Sequence, residues 1–152
     1  MKIIEDDATG EAIQGLLRRH AEGMLANSPE GSCHFLDVSG FQRPDVTLWS
    51  IWDGDALAGC GALRELDPTH GEVKSMRTAD EYLGKGVGGR VLEHVIAVAR
   101  ARNYGRLSLE TGSTDAFAAA IHLYERAGFE ECDPFGDYEA SEFNRFLTLE
   151  LS

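Results

Sequence analysis

The chain has 152 residues, of which 43% are hydrophobic and 26% charged, and this is the composition of one globular domain with a sizeable core. Its net charge of −12 disfavours nonspecific binding to nucleic acid or to an anionic membrane, because both depend on a cationic surface. The same charge suits a cationic small substrate, or serves only to keep the protein soluble. The first residues lack the features of a signal peptide and no apolar run approaches the ~20 residues of a membrane span, so we expect one cytoplasmic domain over residues 1–152.

The N-terminal third predicts a strand, a helix and a turn-rich segment. A strand is expected at residues 2–4. Apolar residues recur after it at helical spacing and predict an amphipathic helix over residues 8–20. Residues 21–45 are rich in glycine, proline, asparagine and serine, so mostly turns are expected there, with short helices near Leu25 and around residues 35–41.

The middle of the chain predicts three consecutive strands. The apolar runs at residues 47–52 and 56–66 flank the turn Asp53-Gly54-Asp55, which is a strong hairpin signal. A further strand is expected over residues 72–78. Because strands joined by short turns pair antiparallel, these three strands predict an antiparallel meander.

The C-terminal half predicts helices that alternate with strands. Apolar residues recur at helical spacing from Val87 to Ala99 and predict a helix ended by Gly105, before a strand at residues 106–111. A strand, a helix and a strand in that order imply a parallel pair joined by a crossover. A helix over residues 115–127 and a strand at residues 145–151 follow. The predicted fold class is α/β, with a mixed central sheet, an antiparallel meander, a late parallel βαβ crossover and helices on both faces.

A glycine-rich turn before the helix at Val87 has the composition of a phosphate-binding loop. Glycines let the backbone approach an anion closely, and the first helical turn offers unpaired N–H groups at the positive end of the helix dipole. A Walker loop is excluded, because neither serine nor threonine follows Lys85 and the glycine spacing differs. The segment does match the dinucleotide fingerprint G-x-G-x-x-G. That interpretation is disfavoured because the strand ends well before Gly84 and too little chain remains for two mononucleotide-binding halves.

The order of elements and motifs around this turn resembles that of the GNAT superfamily of acyl-coenzyme A dependent N-acetyltransferases. The resemblance rests on the strand ending Met76-Arg77-Thr78, the loop at residues 83–88, the helix after it, and Ala120 to Phe129, which contains L-Y-x-x-x-G-F. It covers about residues 45–132 well, and the pairing of the two motifs is specific. Segments such as residues 70–78 and 134–138 resemble an uncharacterised bacterial branch of that superfamily.

The resemblance implies acetyl-coenzyme A as cosubstrate. The amides of the loop would hold the pyrophosphate, and the backbones of Met76 and Thr78 would pair with the pantetheine arm beside a splayed strand pair. Two positions differ from the family pattern, since Leu83 stands where Arg or Gln is usual and Phe117 stands where Asn often opens the second helix. The coenzyme-binding residues expected from the resemblance are Met76, Arg77, Thr78, Leu83, Gly84, Lys85, Gly86, Val87, Gly88, Gly89, Phe117 and Tyr124.

Transfer of an acetyl group to an amine requires a base for the ammonium proton. Glu72 is the first candidate, because strand alternation would place it on one face with Lys74, Met76 and Thr78. Glu110, near the end of the neighbouring parallel strand, is the second candidate. Either carboxylate could instead be paired with a nearby cation and have no part in the chemistry.

The departing thiolate needs a hydrogen-bond donor. Tyr124 falls on the family tyrosine that lies near the sulfur, so the resemblance implies this role for it. Its helical spacing with Phe117 and Ile121 also suits a core aromatic residue, and both interpretations stay open.

The acceptor end is less clear in the sequence. By resemblance, acceptors bind near the first helices and the loop after them, which suggests His34, Asp37, Glu65 and Tyr138. No histidine or cysteine spacing indicates a metal site, and none is expected. The predicted function is transfer of an acetyl group from acetyl-coenzyme A to the amine of a small-molecule or amino-acid-like acceptor, by direct attack in a ternary complex. The alternative is a noncatalytic acyl-coenzyme A-binding sensor or assembly module, and the resemblance allows a homodimer.

Overall fold

A computed structural model describes residues 1–28 and 39–151. The helices in these ranges are α1 (Glu11–Ala26), α2 (Val87–Ala101) and α3 (Ala118–Arg126). The strands are β1 (Lys2–Asp6), β2 (Val46–Asp53), β3 (Ala56–Asp67), β4 (His70–Thr78), β5 (Arg106–Gly112), β6 (Glu130–Glu131) and β7 (Asn144–Glu150). In the described part of the chain, no helix is both long enough and apolar enough to cross a bilayer.

All seven strands form one mixed sheet in the order β1-β2-β3-β4-β5-β7-β6. Strands β1 to β4 form an antiparallel meander, β4 and β5 are parallel, and β7 lies antiparallel between β5 and β6. Helix α2 makes the crossover between the parallel pair, as is usual for such a connection. The predicted meander and the late crossover are therefore confirmed.

The two faces of the sheet carry separate apolar cores. Leu48 and Ala62 face α1 and pack with its buried residues Ile13, Leu16 and Leu17. The alternate positions on the same strands face α2 and α3, and their cluster contains Trp49, Ile51, Leu63, Val73, Val91, Val95 and Tyr124. Each fully buried aliphatic side chain in these cores contributes about 1.5 to 3 kcal/mol. The expected placement of helices on both faces is confirmed.

Helix α1 is longer at its C-terminal end than the sequence pattern predicts. The prediction ended it at His20, whereas the helix continues to Ala26 and includes Gly23. It therefore also contains the short helix expected near Leu25. The local signal of Gly23 is overridden, as is common for a single glycine in a packed helix. Gly23 lies against β4, since an added Cβ there would be 3.2 Å from Nη1 of Arg77. The helix expected around residues 35–41 falls partly outside the described residues, and a 3-10 turn is present at Ser39–Gln42.

A β-bulge at Ser75 changes which way the side chains of β4 point. Lys74 pairs with Ala62 and Arg77 pairs with Cys60, so β4 has one more residue than β3 between these pairs. Ser75 itself has φ 55°, a value that residues other than glycine rarely adopt.

The bulge separates residues that strict alternation would keep together. Glu72, Lys74 and Arg77 lie on the α1 face, because their partners on β3 lie on that face. Met76 and Thr78 lie on the opposite face. The sulfur of Met76 packs against Gly61 there, since a Cβ added to Gly61 would lie only 2.7 Å from it. The prediction that Glu72, Lys74, Met76 and Thr78 share one face is wrong, because the inserted residue shifts the alternation of side chains between the two faces of the sheet.

Candidate active site

Strands β4 and β5 part after their first three residues. Their parallel pairing ends at Glu72 and Ser108, while β5 stays paired with β7 over residues 106–112. Beyond Glu72, β4 is paired with β3 on one edge, and its other edge meets no strand within the described residues. The main chain of residues 73–78, including Met76 and Thr78, therefore leaves an edge at which an extended ligand with amide groups can bind.

A cavity of about 190 Å³ opens at this gap. Because its lining residues come from α1 on one side of the sheet and from α3 on the other, the cavity connects the two faces. Its volume lies below the roughly 300 to 1,000 Å³ of sites for drug-sized ligands, which favours a small guest. The lining residues are His20, Gly23, Met24, Asn27, Glu72, Val73, Lys74, Ser75, Met76, Arg77, Glu110, Thr111, Ala116, Phe117, Ala120 and Tyr124.

Four of these residues come from one face of α1 and its C-cap, Asn27. His20, Gly23, Met24 and Asn27 follow the helical spacing i, i+3, i+4, i+7, which places them in a row on the helix surface. The sequence prediction missed this row because it ended the helix at His20. The spacing itself was the signal that could have found it.

Glu72 is the most deeply buried ionisable group of the cavity, with 1% of its surface exposed. Its Oε2 accepts hydrogen bonds from the Tyr138 hydroxyl at 2.6 Å and from Lys74 Nζ at 3.3 Å. Its Oε1 has no hydrogen-bond partner among the described residues, although it is buried. One carboxylate oxygen is thus held in place and the other can accept a proton from a guest.

Tyr138 connects Glu72 to Lys74. Its hydroxyl donates to Glu72 and accepts from Lys74 Nζ at 2.9 Å. Burial, and next the negative charge of Glu72, raise the pKa of Tyr138. The phenol therefore stays protonated and keeps donating to the carboxylate at all physiological pH values.

Glu110 lines the same cavity from β5. Its carboxylate accepts a hydrogen bond from the side-chain amide of Asn144 on β7. Its charge also contributes to the raised pKa of Tyr138. The structure thus brings both predicted carboxylates, Glu72 and Glu110, to one cavity.

Tyr124 reaches the cavity from α3 and is 7% exposed. Its ring packs edge to face against Phe129, with centroids 5.8 Å apart, so it is a core residue as well. Burial raises its pKa to about 12, which keeps the hydroxyl protonated near neutral pH. That hydroxyl makes no hydrogen bond to another residue in the described ranges, so it can donate to a guest.

The glycine-rich loop forms the entry to α2. Gly84 and Gly86 have φ values of 74° and 80°, which glycine adopts without strain, and Gly86 is the N-cap of the helix. The amides of residues 84–89 donate no hydrogen bond to the part of the chain that the structure describes. Such a set of unpaired donors at the positive end of a helix fits a pyrophosphate. At the start of the loop, Leu83 is 63% exposed.

Tyr138 does not line the cavity itself but bonds to Glu72 and Lys74, which do, and the other three predicted acceptor residues are not placed in the cavity. His34 and Asp37 lie outside the described residues. Glu65 does not line the cavity, and its carboxylate accepts a hydrogen bond of 2.7 Å from the hydroxyl of Tyr104, which is buried beneath α2. Glu65 pairs with Gly71, the neighbour of Glu72, so its side chain lies on the face of the sheet opposite to that of Glu72, and its role toward an acceptor stays a prediction. Phe117, by contrast, lines the cavity and packs edge to face on Phe143.

His20 predicts a pH dependence of stability. Burial, and next the positive charges of Arg77 and Lys74, lower its pKa from 6.5 to about 4. Between these pH values the unfolded chain binds the proton of His20 more readily than the folded protein does. The contribution of His20 to the free energy of unfolding is therefore fully present above pH 6.5 and is lost as the pH falls through 4. The ring is partly exposed, so we expect a loss of about 2 kcal/mol.

The measurement is urea unfolding at pH 7 and pH 4.5 for the wild type, for His20→Asn and for the control His122→Asn, whose histidine is exposed on α3. His20→Asn should lose less stability on acidification than the other two proteins. Equal losses in all three would exclude His20 as the cause.

Comparisons with known proteins agree with this geometry. Residues 15–129 match the model of the Acetyltransferase (GNAT) family. The chain is 50% identical to the uncharacterized N-acetyltransferase YedL of Escherichia coli K12, over 96% of this chain and 92% of that one. It is 48% identical to the uncharacterized N-acetyltransferase YsnE of Bacillus subtilis 168, over 99% of this chain and 100% of that one.

The fold is also that of a crystal structure from Klebsiella pneumoniae, whose name suggests an acyl-CoA N-acyltransferase. The TM-score is 0.81 at 24% identity, and the alignment covers 99% of this chain and 97% of the other. The family match spans most of the chain and includes the loop, the splayed strands and Tyr124. The chain therefore belongs to the GNAT family of acetyltransferases, enzymes that use acetyl-coenzyme A as cosubstrate.

Proposed function

We propose that this enzyme transfers the acetyl group of acetyl-coenzyme A directly to the amine of a small acceptor in a ternary complex, with Glu72 as the base and Tyr124 as the donor to the leaving sulfur. The observation that carries the proposal is the Glu72 carboxylate, which is buried in a cavity at the strand gap with one oxygen held and the other unpartnered. Tyr124 opens into the same cavity from the other side of the sheet.

In this proposal the acceptor's ammonium gives a proton to Glu72 Oε1, directly or through one water molecule. The neutral nitrogen then attacks the thioester carbonyl, so that a C–N bond forms and the C–S bond breaks. The departing thiolate takes a proton from Tyr124, and the nitrogen gives its second proton to solvent as the amide forms. Solvent then reprotonates Tyr124, and Glu72 returns its proton to solvent. The products are an N-acetylated amine and coenzyme A with a thiol, and Glu110 is the second candidate for the base.

The loop and the open strand edge would hold the cosubstrate. The unpaired amides of residues 84–89 suit the pyrophosphate, and the main chain of Met76 and Thr78 suits the amides of the pantetheine arm. Gly88 has no side chain, and a Cβ there would already lie 3.2 Å from Leu123 Cδ2, so the loop packs closely on α3. Leu83 is exposed at the loop and offers apolar contact where a polar side chain is usual in the family.

The test is thiol release from acetyl-coenzyme A across a panel of amines, amino acids and peptides, for the wild type and for Tyr124→Phe. We expect at least one amine to exceed the hydrolysis blank, with mass spectrometry showing its acetylated product. Tyr124→Phe should lower kcat about tenfold or more while the dissociation constant of acetyl-coenzyme A changes little. Unchanged kcat in this variant would remove Tyr124 from the mechanism.

The noncatalytic alternative makes a different prediction in the same assay. An acyl-coenzyme A sensor would bind the cosubstrate in calorimetry, yet no amine would accelerate thiol release. The buried carboxylate with an unpartnered oxygen favours the enzyme, because a binding module gains nothing from that desolvated group.

A further inference from the structure

Charged groups of opposite sign lie in separate parts of the cavity, and from this we infer that the acceptor is a small molecule with a carboxylate in addition to its amine, the carboxylate being bound by Arg77. The inference rests on the proposed acetyl transfer and names the class of its acceptor. Glu72 and Glu110 lie where β4 and β5 part, whereas Arg77 lies further along β4 against α1.

The bulge at Ser75 is what brings Arg77 to this place. Without the inserted residue, alternation would turn Arg77 to the face opposite Glu72. With it, Arg77 joins Glu72 and Lys74 on the α1 face and lines the cavity. Gly23 leaves space for the guanidinium, since an added Cβ would lie 3.2 Å from Nη1.

Arg77 and Lys74 are the cationic side chains among the described residues of the cavity wall, and they differ in how they are engaged. Lys74 is 8% exposed and donates to both Glu72 and Tyr138. Arg77 makes one long ion pair, 3.8 Å from Nη2 to Asp80, and Asp80 is 60% exposed. An exposed pair of this kind contributes little, so the five donors of the guanidinium stay available for a guest.

The planar fork of an arginine matches a carboxylate with two parallel hydrogen bonds. Next to Arg77, His20 is a neutral ring at neutral pH that adds no competing charge. The unpartnered Oε1 of Glu72 lies in the same cavity and attracts an ammonium. A guest with an amine at one end and a carboxylate at the other complements both groups at once.

The net charge of −12 does not oppose this inference. Charges on the outer surface are screened over about 8 Å at physiological salt, whereas groups in the cavity act at contact distance. The lowered pKa of His20, to which Arg77 and Lys74 contribute after burial, reflects positive potential on this side of the cavity. Composition alone leaves a cationic substrate and mere solubility as equal interpretations of the acidic surface, whereas the cavity indicates a zwitterionic substrate.

The first experiment compares ω-amino acids with their primary amides, from β-alanine to 6-aminohexanoate, as acceptors in the thiol-release assay. In the longer pairs the amine pKa is nearly the same, so the comparison isolates the carboxylate. We expect kcat/KM to be at least tenfold higher for the acid, because only the acid can form a charge-assisted hydrogen bond with the guanidinium.

Variants of Arg77 test whether this side chain causes the preference for acids over amides. Arg77→Gln should lower kcat/KM for the acids about tenfold or more and leave the amides unchanged, and Arg77→Lys should restore part of the preference. Arg19→Gln is the matched control, because Arg19 also pairs with Asp80, at 3.7 Å, but does not line the cavity. The control should behave as the wild type.

A binding measurement separates this inference from the proposed function. Propionate, but not propionamide, should shift the side-chain Nε–H resonance of Arg77 in protein saturated with coenzyme A, and Arg77→Gln should abolish propionate binding. Equal acetylation of acids and amides, or acetylation of other amines alone, would overturn the inference while the enzyme stands. No thiol release with any amine would overturn the proposed function, and propionate binding would still decide whether Arg77 holds a carboxylate.

Discussion

Replacing Glu72 with glutamine is expected to lower kcat by about a hundredfold to ten-thousandfold, the usual range for loss of a general base. Glutamine has nearly the same shape and can still accept a hydrogen bond from Tyr138, but it cannot take the proton of an ammonium. Binding of acetyl-coenzyme A should change little, because Glu72 lies outside the loop that would hold the pyrophosphate. The measurements are single-turnover kinetics with a saturating acceptor, and calorimetry with acetyl-coenzyme A.

The same substitution is also expected to affect folding, which must be separated from chemistry. Lys74 is 8% exposed and Glu72 1% exposed, so Glu72→Gln leaves a buried ammonium without its counterion. Breaking such a pair costs about 3 to 5 kcal/mol, whereas removing both charges is often nearly neutral. The double variant Glu72→Gln, Lys74→Gln should therefore regain most of the free energy of unfolding.

Activity distinguishes a base from a structural carboxylate in this pair of variants. If Glu72 is the base, the double variant is stable and remains as inactive as the single one. Recovery of kcat together with stability would mean that Glu72 acts by balancing the charge of Lys74. Glu110→Gln should then be tested in the same assay, since Glu110 is the other carboxylate in the described cavity wall.

Local signals in the sequence were enough for most of the elements of the fold and for the glycine-rich entry to α2. The apolar spacing of α2 and the glycines before it act within one helix and one turn, so the sequence pattern predicts them directly. The parallel β4–α2–β5 unit follows from the order of elements, because a strand, a helix and a strand in that order predict a parallel pair joined by a crossover. The place of β7 between β5 and β6 could not be predicted, since long-range strand order leaves no periodic signal.

The acceptor end depended on contacts that the sequence does not display. Tyr138 was expected near the opening, but its bond to Glu72 joins residues 66 positions apart. One inserted residue at Ser75 reverses the facing of Met76 and Arg77, and no turn residue marks it. The contact between Gly23 of α1 and Arg77 of β4 joins residues 54 positions apart, so it too is a tertiary effect.

A carboxylate placed in the glycine loop should abolish cosubstrate binding without unfolding the protein. Gly88→Asp puts a negative charge in the first turn of α2, where the helix dipole favours it by about 0.3 to 1 kcal/mol. The new Cβ would lie 3.2 Å from Leu123 Cδ2, the end of a flexible side chain that can move slightly. A pyrophosphate on the same amides would meet strong repulsion, and we expect affinity for coenzyme A to fall about a hundredfold.

Two variants complete this test. Gly88→Ala adds the Cβ without charge and should weaken coenzyme A only slightly, and Gly15→Asp adds the same charge on α1, where a Cβ meets nothing within 4 Å. Calorimetry gives the dissociation constants, and thermal unfolding shows that each variant is folded. The comparison of the three variants is decisive. Only the charge in the loop (Gly88→Asp) should destroy coenzyme A binding, whereas added bulk in the loop (Gly88→Ala) or added charge on α1 (Gly15→Asp) should not. Wild-type affinity in Gly88→Asp would place the pyrophosphate away from residues 84–89 and would remove the contact that aims the thioester along β4.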